Sequence, residues 1–218
     1  MNIASYIDHT LLKPTALPSD ISRLCEEAST YGFAAVCVPP PFVRTSRNQL
    51  QDGPVKVATV AGFPFGYSAA TAKLAEVQQA LRDGADEIDV VINLIALKSG
   101  SWPYLESEIE LLAEPIHGQG KLIKVIIESG ILTDEEIVRC CEICARAGAD
   151  FVKTSTGYAE RGATLEAVQL MRASLPSDIR IKASGGIKTY DFAQRLIAAG
   201  ADRIGCSASL AIINQLHE

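Results

Sequence analysis

The sequence is short of the residues that many functions require. It has three histidines, His9, His117 and His217. They lie too far apart to make the close spacing of a metal site, so no metal and no other cofactor is expected. Lysine and arginine are scattered, and 20 basic against 26 acidic residues leave a net charge of −6. A nucleic-acid backbone would find no basic stripe to dock on. A small anionic substrate stays compatible, because a pocket needs only local positive charge and backbone N–H groups can supply part of it. No apolar run is long enough to span a bilayer. Residues 1–12 lack a basic flank and carry Asp8 inside their apolar stretch, which argues against a secretory signal. A cytoplasmic protein is the expectation, and in that compartment the six cysteines should be reduced. Cys141-Glu142-Ile143-Cys144 has C-x-x-C spacing but lies within a helical pattern and lacks a second ligand pair. With Cys140, it reads as part of a buried helix face.

What is present is apolar and regularly punctuated. Hydrophobic residues make up 48% of the 218, enough to bury a full core. Strand patterns rich in β-branched residues fall at 5–8, 34–38, 55–61, 87–93, 122–128, 151–154, 180–183 and 203–206. Helical patterns alternate with them at 19–31, 42–51, 68–83, 104–117, 134–147, 165–175, 189–199 and 207–216. Strict alternation implies parallel strands with helical crossovers, and eight such pairs fit a closed barrel better than an open sheet. No linker or composition break divides the chain, so 1–218 is read as one α/β domain, a single (β/α)8 TIM barrel. Thr133 with Glu136 makes a capping-box pattern at a helix start. Pro39, Pro40 and Pro41 end one strand and can preset the next helix. Gly32, Gly84, Gly148 and Gly200 each follow a helix, where a left-handed cap favours glycine. Gly-Ala-Asp recurs at 84–86, 148–150 and 200–202, always between a helix and the next strand. That is the face of a barrel where stability resides rather than chemistry.

The informative anomaly is charge inside strands. Strands of a parallel barrel are covered on both sides and normally read as continuous apolar runs. Lys124, Lys153, Lys182 and Asp89 interrupt four such runs on four successive strands. Alternation puts Asp89, Val91 and Asn93 on one face, and Lys124, Ile126 and Glu128 on one face. With those faces inward, the three lysines and Asp89 would surround one space near the top of the barrel. Burial and a neighbouring ammonium both lower a lysine pKa, and a partly neutral lysine is a good nucleophile for carbonyl groups. Asp89 could balance the remaining charge and pass protons. A buried structural ion-pair network is the bland alternative. Three lysines on adjacent strands with one carboxylate favour catalysis over it. Asn93 and Glu128 are more simply read as rim residues that hydrogen-bond loop backbone.

Phosphate cues follow strands seven and eight. Ser184-Gly185-Gly186 and Gly205-Cys206-Ser207-Ala208-Ser209 occupy the positions where barrels often hold a phosphate, through glycine N–H groups and a helix start. Gly157, in Ser155-Thr156-Gly157, could add a third donor loop.

Together these segments resemble the deoxyribose-phosphate aldolase family. The resemblance is carried by Asp8-His9-Thr10-Leu11-Leu12-Lys13-Pro14, Glu87-Ile88-Asp89-Val90-Val91-Ile92-Asn93 and Lys124-Val125-Ile126-Ile127-Glu128. It continues in Phe151-Val152-Lys153-Thr154-Ser155-Thr156-Gly157 and Ile181-Lys182-Ala183-Ser184-Gly185-Gly186. It implies a class I aldolase, needing no metal, that reversibly splits 2-deoxy-D-ribose 5-phosphate into acetaldehyde and D-glyceraldehyde 3-phosphate in deoxyribose phosphate breakdown. By the same resemblance Lys153 forms the imine, Lys182 lowers its pKa, and Asp89 moves protons with Lys182 and a water. Asp8, Lys124 and Thr154 would line the pocket, and Gly157, Gly185, Gly186, Gly205 and Ser207 would hold the phosphate. Cys37 matches a cysteine that some members carry near the site, although a small buried residue is the plainer reading. The sequence departs from the family pattern at Leu94-Ile95, where Ile-Gly is usual. It departs again at Ser207-Ala208-Ser209, where a Ser-Ser pair is common. The expected partners are the sugar phosphate and aldehyde, and a second copy of the chain in a dimer through outer helices. The competing readings are another Schiff-base barrel enzyme, a non-catalytic sugar-phosphate binder and a metal-dependent barrel.

Overall fold

The computed structural model describes residues 2–51 and 53–215. Eight parallel strands close into a barrel in sequence order. They are β1 (Ile7–Thr10), β2 (Ala35–Val38), β3 (Lys56–Ala61), β4 (Glu87–Val91), β5 (Leu122–Ile126), β6 (Phe151–Lys153), β7 (Arg180–Ser184) and β8 (Arg203–Cys206). Around them run α1 (Pro18–Tyr31), α2 (Val43–Leu50), α3 (Ala70–Arg82), α4 (Leu94–Lys98), α5 (Trp102–His117), α6 (Asp134–Arg146), α7 (Leu165–Ser174), α8 (Tyr190–Ala198) and α9 (Ser209–Asn214). This is the expected (β/α)8 barrel.

The differences from the sequence reading are local. The first strand was expected at 5–8 but runs from Ile7 to Thr10, because Ile3–Tyr6 forms a 3-10 turn capped by the Asn2 side chain. β4 stops at Val91 because Asn93 turns the chain into the short helix α4, accepting the Ala96 N–H at 3.0 Å. That helix was not anticipated. The last helix was expected over 207–216 and is seen from Ser209 to Asn214, with Leu216 outside the described residues.

Two cores result from strand alternation. Outward side chains such as Val36, Val57, Ile88, Val125, Val152, Ile181 and Ile204 form a continuous apolar shell with the helices. The three cysteines of α6 are buried in it, on the helix face assigned to them from the sequence, and they are free thiols. The barrel interior is different. Ala35, Cys37, Ala58 and Val60 fill the β2–β3 side with small apolar groups, and on the other side charged side chains share the interior with Val91, Ile126 and Phe151.

The Gly-Ala-Asp phrase acts at the bottom of the barrel. Each glycine adopts a positive φ after its helix, each alanine is buried, and each aspartate accepts a backbone N–H from the strand before. Asp86 takes Val57 at 3.0 Å, Asp150 takes Ile123 at 2.8 Å and Asp202 takes Ile181 at 2.8 Å. The expected capping box of Thr133 and Glu136 is formed.

Candidate active site

Register brings the strand charges to one level. Lys153 lies directly beside Lys182 across the β6–β7 pair, and Asp89 beside Lys124 across β4–β5. Asp89 is the meeting point. Its Oδ1 accepts from Lys124 Nζ at 2.8 Å, and its Oδ2 accepts from both Lys153 Nζ and Lys182 Nζ at 2.8 Å. Two lysine nitrogens therefore share one carboxylate oxygen.

Two further acids and one further base complete the cluster. Asp8 Oδ2 lies 2.5 Å from Lys182 Nζ, and Glu87 Oε2 lies 2.6 Å from Lys124 Nζ. Both are charge contacts without good hydrogen-bond geometry. Arg203 bridges these two acids, touching Asp8 Oδ1 through Nη1 and Glu87 Oε1 through Nη2 at 2.8 Å. The contacts close into a ring of alternating sign: Arg203, Asp8, Lys182, Asp89, Lys124, Glu87 and back to Arg203. Lys153 is attached to this ring only through Asp89. Phe151 closes the space below, its ring centroid 5.8 Å from Lys124 Nζ and 4.0 Å from the guanidinium of Arg180.

These partners divide the amines. Burial disfavours the ammonium of Lys182, but Asp8 and Asp89 outweigh it and hold the group above the ordinary lysine value. Burial is likewise outweighed at Lys124, by Asp89 and Glu87. At Lys153 burial wins. Asp89 pulls the other way, Lys182 adds repulsion, and the ammonium falls below the ordinary value. Burial opposes the charge of Asp89, yet the three lysines hold its carboxyl well below the usual range.

Above the cluster is a cavity of about 400 Å³ at the C-terminal ends of the strands. Lys153 reaches its wall, whereas Asp8, Asp89, Lys124 and Lys182 are buried beneath with no exposed surface. Gly157, Gly185, Gly186, Gly205 and Ser207 all line it, joined by Lys13 and Lys188. Thr154, expected to line the pocket, does not. Alternation turns it away from Lys153, and its hydroxyl ties β6 to β7, donating to Ser184 O at 3.2 Å and accepting from Ser184 N at 3.0 Å. Asp8 and Lys124 are likewise floor residues rather than wall residues. Asn93 and Glu128 sit at the rim as expected, Glu128 accepting the Thr156 N–H at 3.2 Å and the Thr156 hydroxyl.

The glycine at 205 serves the floor as well as the wall. A Cβ there would stand 2.9 Å from Lys182 Cε and 3.0 Å from Ser184 Cβ, so any larger residue would require the lysine to shift. Among the described residues no group of three or more His, Cys, Asp or Glu side chains is arranged to hold a metal. His9 is instead engaged by Ser209 Oγ at 2.8 Å and Glu27 Oε2 at 2.7 Å in the outer layer. His217 lies outside the described residues.

The model of the DeoC/LacD family of aldolases matches residues 3–215. The chain belongs to this family. Its relatives include the deoxyribose-phosphate aldolases of Caldanaerobacter subterraneus subsp. tengcongensis, 48% identical, with 99% of this chain and 94% of that one covered. That of Thermococcus gammatolerans is 49% identical, covering 98% and 96%. The solved structure of deoxyribose phosphate aldolase from Aeropyrum pernix, described as tetrameric, superposes with a TM-score of 0.93 at 34% identity, over 99% of this chain and 91% of that one. No helix among the described residues of the aldolase is long and apolar enough to cross a membrane.

Sequence reasoning passed over two members of the charge cluster, Glu87 and Arg203. Each opens its strand, a position that reads as rim. The signal was period two: Glu87 shares a face with Asp89, and Arg203 with Gly205.

Proposed function

We propose that this aldolase reversibly cleaves 2-deoxy-D-ribose 5-phosphate to acetaldehyde and D-glyceraldehyde 3-phosphate, in the breakdown of deoxyribose phosphate, through an imine on Lys153. The observation that carries the reading is that Lys153 alone among the clustered amines reaches the cavity, while sharing an Asp89 oxygen with Lys182, each at 2.8 Å.

The chemistry follows from that placement. The neutral amine of Lys153 adds to the C1 aldehyde, and water leaves to give an iminium. A base takes the proton of the C3 hydroxyl. The C2–C3 bond breaks, and its electron pair moves toward the iminium, leaving an enamine and freeing the three-carbon aldehyde phosphate. The enamine takes a proton at C2, and water hydrolyses the imine, releasing acetaldehyde and restoring the amine. Asp89 and Lys182, with a water, move the protons, Lys182 starting as the ammonium and recovering its proton by the end of each turnover. The phosphate end is assigned to Gly157, Gly185, Gly186, Gly205 and Ser207, which line the cavity and can offer backbone N–H donors. The tetrameric Aeropyrum relative supports assembly into a homo-oligomer, which light scattering can measure.

A substrate panel tests the reading. Cleavage of deoxyribose 5-phosphate, followed by acetaldehyde release, is expected, with fructose phosphates left intact. Cleavage of fructose phosphates in preference would overturn it.

A further inference from the structure

The ring beneath the cavity holds three carboxylates and three cations, so it is neutral without Lys153. Any proton on Lys153 is then the uncompensated charge of the whole buried cluster. We infer that Glu87 and Arg203, which touch neither the cavity nor Lys153, are positioning residues that fix Lys153 as the amine that gives up its proton.

The geometry supports this step by step. Lys182 contacts two carboxylates, Asp8 and Asp89, and Lys124 contacts Glu87 at 2.6 Å and Asp89 at 2.8 Å, with Asp8 at 3.7 Å. Lys153 contacts one. Arg203 is the reason the acids are shared out in this way. It occupies the second oxygen of Asp8 and the second oxygen of Glu87, so each presents one oxygen to a lysine and neither is left to reach further. Arg203 cannot lose its own proton, so the deprotonation must fall on an amine. Of the clustered amines, Lys153 has the fewest carboxylates, and it alone has its ammonium pushed below the ordinary value, by burial and by Lys182. The other groups facing it do not change this count. Cys37 on β2 is a buried thiol whose pKa is raised by burial, so it is uncharged. Glu128, at the rim after β5, makes no ion pair with Lys153, its carboxylate accepting instead from the Thr156 N–H and hydroxyl.

This inference rests on Lys153 being the imine lysine, and its test separates the two ideas. The protein is treated with acetaldehyde and cyanoborohydride across a range of pH, and the label on the Lys153 peptide is quantified by mass spectrometry. Glu87→Gln, which keeps shape and removes one negative charge, should move the labelling midpoint down by about one pH unit. Arg203→Gln, which removes one positive charge, should move it up by about as much. The double variant restores neutrality and should return the midpoint toward that of the parent. A merely structural role predicts loss of labelling in all three, without opposite signs. Shifts of the same sign, or an unmoved midpoint in Glu87→Gln, would overturn the inference while labelled Lys153 leaves the proposed function standing. Absence of label on Lys153 in the parent would instead overturn the proposed function. Where Arg203→Gln does not fold, Arg203→Lys keeps the charge and should leave the midpoint in place, and Glu87→Gln still decides.

Discussion

At the scale of single residues, the site separates three buried amines by their partners rather than by their depth. Lys182 and Lys124 are held charged by two or more carboxylates, and Lys153 is not. Replacing Lys182 by Leu removes a repelling charge from beside Lys153, so the Lys153 pKa rises. Lys182→Leu should therefore keep the fold but lose most turnover, with the imine forming only at higher pH. Parent-like activity would refute that account. Gly205→Ala tests the glycine differently. Its new Cβ would collide with Lys182 Cε. The lysine would be displaced from Asp89, and kcat should fall at least about tenfold, the loss of ~1.4 kcal/mol of transition-state stabilisation. An unchanged kcat with only a raised KM would assign Gly205 to the phosphate alone. The sequence made the lysines and Asp89 legible because charge in a buried strand is costly. Thr154 alternates with Lys153 and turns its hydroxyl onto Ser184, a placement that strand period carries and the family resemblance does not.

At the scale of elements, the bottom of the barrel supplies stability while the strand ends above it carry the site. The aspartates of the repeated Gly-Ala-Asp phrase tie β3 to β4, β5 to β6 and β7 to β8, whereas the β6–β7 register that sets Lys153 level with Lys182 is held by the backbone ladder and by the Thr154 hydroxyl on Ser184. Asp86 accepts the Val57 N–H and pairs with Arg47 and Lys121. Asp86→Ala should cost about 1–3 kcal/mol, read as a lower Tm, while kcat stays near that of the parent because no cavity residue is touched. A tenfold loss of kcat with unchanged Tm would contradict this division of labour. Strand and helix order were readable from period and from glycine and proline punctuation. Ends were not. The Asn2 cap that delays β1 and the Asn93 turn that makes α4 are side-chain-to-backbone bonds, and hydrophobic period does not register them.

At the scale of the whole molecule, the usual arrangement of a barrel is altered on one side. The apolar shell outside the strands is continuous, but the interior from β4 round to β1 holds a charge network, where branched apolar residues would ordinarily dominate. Stability should depend on pH accordingly. Burial opposes the charges of Asp8 and Asp89, but their cationic partners hold both carboxyls below the ordinary value of 3.8. Their contribution is present above that value and is lost as pH falls below it through the depressed folded-state values. Acid unfolding followed by circular dichroism should show a loss of stability beginning below about pH 4, and Asp89→Asn should weaken that dependence. An acid limb identical in the variant would contradict it. The family's fold was legible in the alternation of elements, whereas the closed ion ring emerges only when all eight strands are set in register.

The claim on which the rest depends is that Lys153 is the amine that attacks an aldehyde. Borohydride reduction in the presence of acetaldehyde, followed by peptide mass mapping, tests it most directly. The account predicts an ethyl group on Lys153 in the parent and none in Lys153→Ala, which should be folded and inactive. An adduct on Lys182 or Lys124 in the parent, or turnover that survives in Lys153→Ala, would contradict it.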